Sequence, residues 1–116
     1  MIGSTRAIRV FARPQPTDLR NGFDGLYGIV CIEFEHDLLE GDLFLFVNKR
    51  RKSARVLHWD GTGLCIYSKR LVQGRFAKLW GPRPGDPLEL SRSELALFLE
   101  GAKLAQKLPL SPPEYR

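Results

Sequence analysis

Within residues 7–11, Ile8 and Val10 alternate with Arg9, the two-residue period of a short half-buried strand. Pro14 and Pro16 then block regular structure. Beyond them the period changes. Phe23, Leu26, Tyr27, Val30, Cys31, Phe34 and Leu38 recur at steps of three and four, which draws one face of an amphipathic helix. Thr17 or Asp18 stands where a side chain can cap its free N–H groups. Gly22, Gly25 and Gly28 recur every third residue. Each costs a helix about 1 kcal/mol relative to alanine, which predicts close approach of another backbone on that side.

Gly41 and Asp42 end the helical pattern, and Leu43–Val47, apolar on both faces, reads as a central strand covered on one face by the helix. Residues 48–53 form a basic turn. Residues 55–59 and 64–67 read as the next two strands, joined by Asp60-Gly61-Thr62-Gly63, a hairpin signal. Residues 69–74 make a further connection, and 75–80 read as a fourth strand of the meander. Residues 81–87, with three prolines and two glycines, are loop, and Leu88–Leu90 has room only for a brief pairing. Ser91-Arg92-Ser93-Glu94 is a capping box, in which hydroxyl and carboxylate each satisfy a backbone N–H. It opens a short helix with Leu95, Phe98 and Leu99 on its apolar side and Gly101 as its stop. These elements predict one α+β domain over residues 1–101, with a Pro-containing tail over 102–116. An N-terminal strand and an amphipathic helix pack on a four- to five-stranded, mainly antiparallel meander, and a short C-terminal helix follows.

Composition supports folding: 116 residues, 43% hydrophobic and 27% charged, is one domain's worth of globular chain. No apolar run approaches a membrane span, and residues 1–13 lack the apolar stretch of a secretory signal. Cys31 and Cys65, without a CxxC, fit a reduced chain. A cytoplasmic location without membrane contact is the expectation. The formal charge of +5 matters less than its distribution. Residues 48–83 carry ten Lys and Arg against the single acid Asp60, a net charge of +9. In residues 33–42 the sign reverses, with five acids and no Lys or Arg.

Catalytic constellations are missing. His36 and His58 lie far apart with no carboxylate at a metal-ligand spacing, and there is no HxxxH and no phosphate-binding glycine loop. Asp18, Asp24 and Asp60 are the acids nearest the ordered motifs. Each has a simpler use: a helix cap, a first-turn acid facing the helix dipole, and a turn residue. An Arg20–Asp24 pair at helix spacing would be structural. The expected protein is therefore not an enzyme and needs no cofactor or metal. A small metal-dependent nuclease is the weakest alternative.

The basic turn carries the stronger signal. Lys49, Arg50, Arg51 and Lys52, with Arg55, are the residue types that displace counterions and follow a phosphate backbone. In a meander, the connections at 48–53 and 69–74 project from the same end of the sheet. That would bring Lys69, Arg70 and Arg75 beside the tetrad and focus the field there. Trp59, Tyr67, Phe76 and Trp80 are candidates for stacking on single strands or for the core. The acidic stretch is either a docking surface for a basic partner or the solvated back of a helix. Opposite patches on one chain also allow a homo-oligomer.

Two blocks of sequence resemble a known family. Residues 18–26, with Asp18, Arg20, Phe23, Asp24 and Gly25, are similar to the D-[ML]-R-K-x-F-D-G-L signature of a bacterial transposon family. A second block matches in order and spacing: residues 43–46, Arg50-Arg51, Trp59-Asp60-Gly61-Thr62-Gly63-Leu64, Lys69-Arg70-Leu71 and Gly74-Arg75-Phe76. Residues 97–101 resemble its closing segment. The family is the small accessory protein TnpB, the second open reading frame of insertion sequences of the sixty-six type, unrelated to the RNA-guided nuclease of the same name. The resemblance departs at Asn21, Arg55 and Ala77, where the family usually has Lys, Lys and a bulky residue; Asn21 removes one positive charge from the helix start. It implies a non-catalytic accessory of transposition whose partners are DNA, the separate transposase and another element-encoded accessory protein. Combined with the charge pattern, it points to backbone-dominated DNA binding of weak sequence specificity. The alternative is a module that docks on the transposase through the helix at 23–34 or the tail, without touching DNA.

Overall fold

A computed structural model describes residues 8–34, 40–83 and 85–101. The chain runs β1 (Val10–Ala12), a 3-10 turn (Leu19–Asn21), α1 (Gly22–Ile29), a π-helical turn (Val30–Phe34), β2 (Leu43–Val47), β3 (Ser53–Trp59), β4 (Leu64–Arg70), β5 (Leu88–Leu90) and α2 (Arg92–Glu100). One sheet has the order β4-β3-β2-β1-β5. Only β1 and β2 run parallel; the other three pairings are antiparallel. The predicted α+β architecture therefore holds, with β2-β3-β4 as the meander.

The alternation of side chains along β2 divides the core in two. Phe44 and Phe46 point to one face, where Leu26 and Val30 of the helical segment and Leu57 of β3 cover them. Phe34 stacks on Phe44 at 5.2 Å, and Phe11 on Phe44 at 5.7 Å. Leu45 and Val47 point to the other face, where they meet Ala54, Val56, Phe76, Leu79, Leu95 and Phe98. Phe76 stacks on Phe98 at 5.2 Å, nearly parallel.

Four expectations need correction. The helical segment buries Leu26 and Val30 and, in part, Ile29 and Phe34; Phe23 and Tyr27 stay 49% and 40% exposed, and Cys31 is exposed. Residues 26, 30 and 34 step by four, which on an α-helix drifts about 40° per step. The wider π turn winds that drift back and returns Phe34 to the sheet. Leu38 and the acids Glu35 and Asp37 lie outside the described residues. The glycines, secondly, admit no neighbouring backbone. No described residue comes within 4 Å of a Cβ placed on Gly28, and a Cβ on Gly25 would meet the Asn21 side chain of its own segment. Gly22, at φ 73°, allows the 3-10 turn to pass into α1.

Residues 75–80, thirdly, are not a strand. β4 and β5 occupy opposite edges of the sheet, so the chain between them has to cross it. It crosses on the α2 side, where Phe76 and Leu79 plug the core. The Phe76 N–H donates to the Arg51 carbonyl at 2.7 Å rather than to a strand partner. Leu88–Leu90 does pair, with β1, and Lys69 and Arg70 end β4 rather than open a loop. Lastly, two of the three described acids of residues 33–42, Glu33 and Asp42, are engaged within the fold. Glu33 takes a bidentate contact from Arg13 at 2.8 and 2.5 Å, which lowers its pKa, and Asp42 is fully buried and accepts from the Arg9 N–H.

The capping box forms as expected: Ser91 Oγ accepts from the Glu94 N–H at 3.0 Å, and Glu94 Oε1 from the Ser91 N–H at 2.7 Å. α2 stops at Gly101, with φ 117°. Residues 102–116 lie outside the described residues. The doubly buried β2 makes a quantitative expectation. Phe44→Ala should lower unfolding free energy by about 3–5 kcal/mol, and Phe23→Ala by less than about 1 kcal/mol. Equilibrium urea denaturation measures both.

Candidate nucleic-acid interface

The basic turn is built by Asn48. The Arg51 N–H closes a β-turn on the Asn48 carbonyl at 3.0 Å, and Asn48 Oδ1 accepts from the N–H groups of Lys52 and Ser53 at 3.0 and 3.1 Å. Arg51 sits at φ 60°, the only non-glycine with positive φ among the described residues. That conformation costs an L-residue roughly 1–2 kcal/mol and is held by contacts beyond the turn. The Arg51 Nη1 donates to the Phe76 carbonyl at 3.1 Å, answering the Phe76 N–H on the Arg51 carbonyl. Lys52 Nζ donates to the Gly74 carbonyl at 3.0 Å, and the Leu71 N–H to the Lys52 carbonyl at 2.8 Å. Ser53 pairs with Arg70 in register. The two basic connections are thus laced together at one end of the sheet.

The eight predicted binding residues divide into two kinds. Arg51 and Lys52 hold the crossing segment. Arg55, whose strand position faces α1, donates Nη1 to the Leu19 carbonyl and so ties the 3-10 turn to β3. Lys69 Nζ donates to the Leu99 carbonyl at 2.6 Å, where it also meets the negative end of the α2 dipole. Lys49, Arg50, Arg70 and Arg75 are exposed, and their side chains make no hydrogen bond or ion pair with a described residue. From sequence alone these two kinds look alike.

Around the turn lie two adjoining depressions that share Pro16, Lys49 and Arg50. One, of about 1070 Å3, runs between the 3-10 turn and the β3–β4 edge and is lined by Arg20, Arg55, Lys69 and Arg70. The other, of about 610 Å3, is lined by Arg51, Arg75, Lys78 and Trp80. Together they display nine Lys and Arg and one acid, Asp18. The larger exceeds the common span of small-molecule pockets, about 300–1,000 Å3, and no described aromatic side chain lines it. Sequence reasoning missed Arg20, Lys78 and Pro16 as parts of this surface.

The family-motif residues serve different places. Asp18 caps the 3-10 turn by accepting from the Arg20 N–H at 3.0 Å, and it pairs with the Arg20 guanidinium at 2.8 Å. These contacts hold its carboxyl at about 2. The expected Arg20–Asp24 pair is therefore replaced by Arg20–Asp18, two residues apart. Asp24 lies exposed in the first turn of α1. Trp59 packs half-buried against the α1-side core. Asp60 fixes the β3–β4 turn: its Oδ1 accepts from the N–H groups of Thr62 and Gly63, each at 2.9 Å, with Gly61 at φ 107°. Asp18 lines the depression that Ser53 and Ala54 share at the start of β3, whereas Asp60 follows the other end of that strand. Among the described residues, no three of His, Cys, Asp and Glu gather to hold a metal ion. The Cys65 thiol donates to Asp60 Oδ2 at 3.4 Å, and that contact raises its pKa, the opposite of activation.

The Asp60 contacts hold its carboxyl at about 2, below the ordinary 3.8. A depressed folded value stabilises the protein above the ordinary value and is lost as pH falls through about 2. Carboxyl NMR titration should give an Asp60 midpoint near 2. The difference in melting temperature between the native protein and Asp60→Ala should shrink as pH drops below 4.

No described helix is long and apolar enough to cross a membrane. No solved structure matches the chain. Two proteins of Sinorhizobium fredii, both uncharacterized, are similar over 101 residues. The protein y4jC is 35% identical, across 87% of this chain and 85% of its own length, and y4hO is 33% identical, across 87% and 86%. The family model described as "IS66 Orf2 like protein" matches residues 8–108, which takes in the Asp18–Gly25 motif, the Asp60 turn and the whole basic surface. The chain belongs to the IS66 Orf2-like family.

Proposed function

We propose that this protein binds DNA through its basic surface, as an accessory of transposition. Family membership supports an IS66-associated, non-catalytic role. The observation that carries the DNA reading is the pair of adjoining depressions with nine cations and a single acid, itself paired to Arg20. Such a surface concentrates positive potential where an extended polyanion can lie across it. With no recognition helix on it, contact runs to phosphates, and sequence preference is weak. A partner such as the transposase would then meet the protein already on DNA.

A second reading rests on α1 and the turn after it, where Phe23, Tyr27 and Ile32 are 49%, 40% and 77% exposed. These residues suit docking on the transposase without DNA contact.

Substituting the whole tetrad 49–52 would confuse the test, because Arg51 and Lys52 hold the crossing segment. The informative variant changes Lys49, Arg50, Arg70 and Arg75 to serine. If about 4–6 phosphates are engaged, the native protein's log–log salt slope on duplex DNA is about −4 to −5. The variant should keep its melting temperature and lose about 3–4 from the magnitude of that slope. Fluorescence anisotropy across a salt series measures it. Equal binding by native protein and variant would overturn the reading. Unchanged transposase capture by a variant that no longer binds DNA would show that docking uses a separate surface.

A further inference from the structure

The four aromatic side chains in the basic half of the chain have different fates. Phe76 is fully buried and stacked on Phe98. Trp59 packs against the α1-side core, and Tyr67, though 53% exposed, lines neither basic depression. Trp80 alone does two things. It packs, half-buried, against the α2-side core, and it lines the smaller groove. The groove's other residues are five cations and Pro16. Among the described residues, it contains no acid.

We infer that this groove holds an unpaired nucleotide, with the base on the Trp80 indole and the flanking phosphates on Arg75, Lys78 and the Lys49–Arg50 turn. Single-stranded DNA is then the preferred ligand of the basic surface. The inference rests on the DNA-binding reading and deepens it. An aromatic ring backed by core and walled by cations is the combination that single strands use: the ring takes the base and the cations take the backbone. A paired duplex keeps its bases stacked inside and cannot offer one to the indole. The platform is also stiff. The reciprocal Arg51–Phe76 contacts fix residues 75–76 against the turn, and Phe76 and Leu79 anchor the segment on either side of Lys78.

The test compares a labelled single-stranded oligodeoxynucleotide with the same strand annealed to its complement. Native protein should bind the single strand more tightly at equal salt. Trp80→Leu should lose about tenfold on the single strand, within the range stacking supplies, with little change on duplex and an unchanged salt slope. Trp80→Phe should keep most of the affinity. The chain has two tryptophans, so Trp59→Phe leaves Trp80 as the only indole, and saturating single strand should quench its emission. Undiminished emission at saturation, or full single-strand affinity in Trp80→Leu, overturns the inference while leaving the basic surface intact. Should Trp80→Leu fail to fold, the quenching measurement decides alone. If the four-serine variant binds as native protein does, the DNA-binding reading fails and the inference falls with it.

Discussion

The structure depends on one strand being buried on both faces. Leu43–Val47 has Phe44, Leu45, Phe46 and Val47 fully buried, with aromatic rings toward α1 and aliphatic chains toward α2. A strand with no solvent face needs a layer on each side. The chain supplies one layer with the helical segment before β2. It supplies the other with α2 and the crossing segment that carries Phe76 and Leu79. The crossing is forced by topology, because β4 and β5 occupy opposite edges. It starts beside the turn that leaves β2. Packing and charge therefore meet at one end of the sheet.

That meeting explains why half of the predicted cations have structural duties. Burying the crossing segment leaves backbone carbonyls at its start and at the end of α2. Arg51, Lys52 and Lys69 satisfy the carbonyls of Phe76, Gly74 and Leu99. Arg55 does the same for Leu19 across the sheet. A cation that donates one hydrogen bond to a carbonyl keeps its charge, so these residues still contribute to the field. The four exposed cations add to a potential that the structural ones fix in place. Three acids are engaged within the fold: Glu33 on Arg13, Asp18 on Arg20 at the rim of the basic surface, and Asp60 on its own turn.

Much of the fold was legible in the sequence because local rules and the final packing agree there. The doubly apolar β2, the Asp60-Gly61 turn and the Ser91–Glu94 capping box are each set by a few adjacent residues. The misread parts are decided by distant ones. Residues 75–80 carry enough apolar and aromatic residues for a strand, but Phe76 finds its backbone partner in Arg51. The helical face looked continuous from Phe23 to Phe34, yet only a π turn brings Phe34 back onto Phe44. The site was half legible. The clustering of basic loops follows from antiparallel order, whereas the split between holding and exposed cations depends on which carbonyl lies within reach.

In the proposed reading, the exposed end of the sheet, built by the 48–52 turn, the end of β4 and residues 75–80, is the face that meets DNA. An amide NMR footprint tests it most directly. On addition of DNA, shifts should be confined to those three segments and the neighbouring residues 16–20. The Asp60 turn, the Arg9–Glu89 pair and the outer face of α1 should stay unmoved. Shifts centred on Phe23 and Tyr27, or none at low salt, would contradict it.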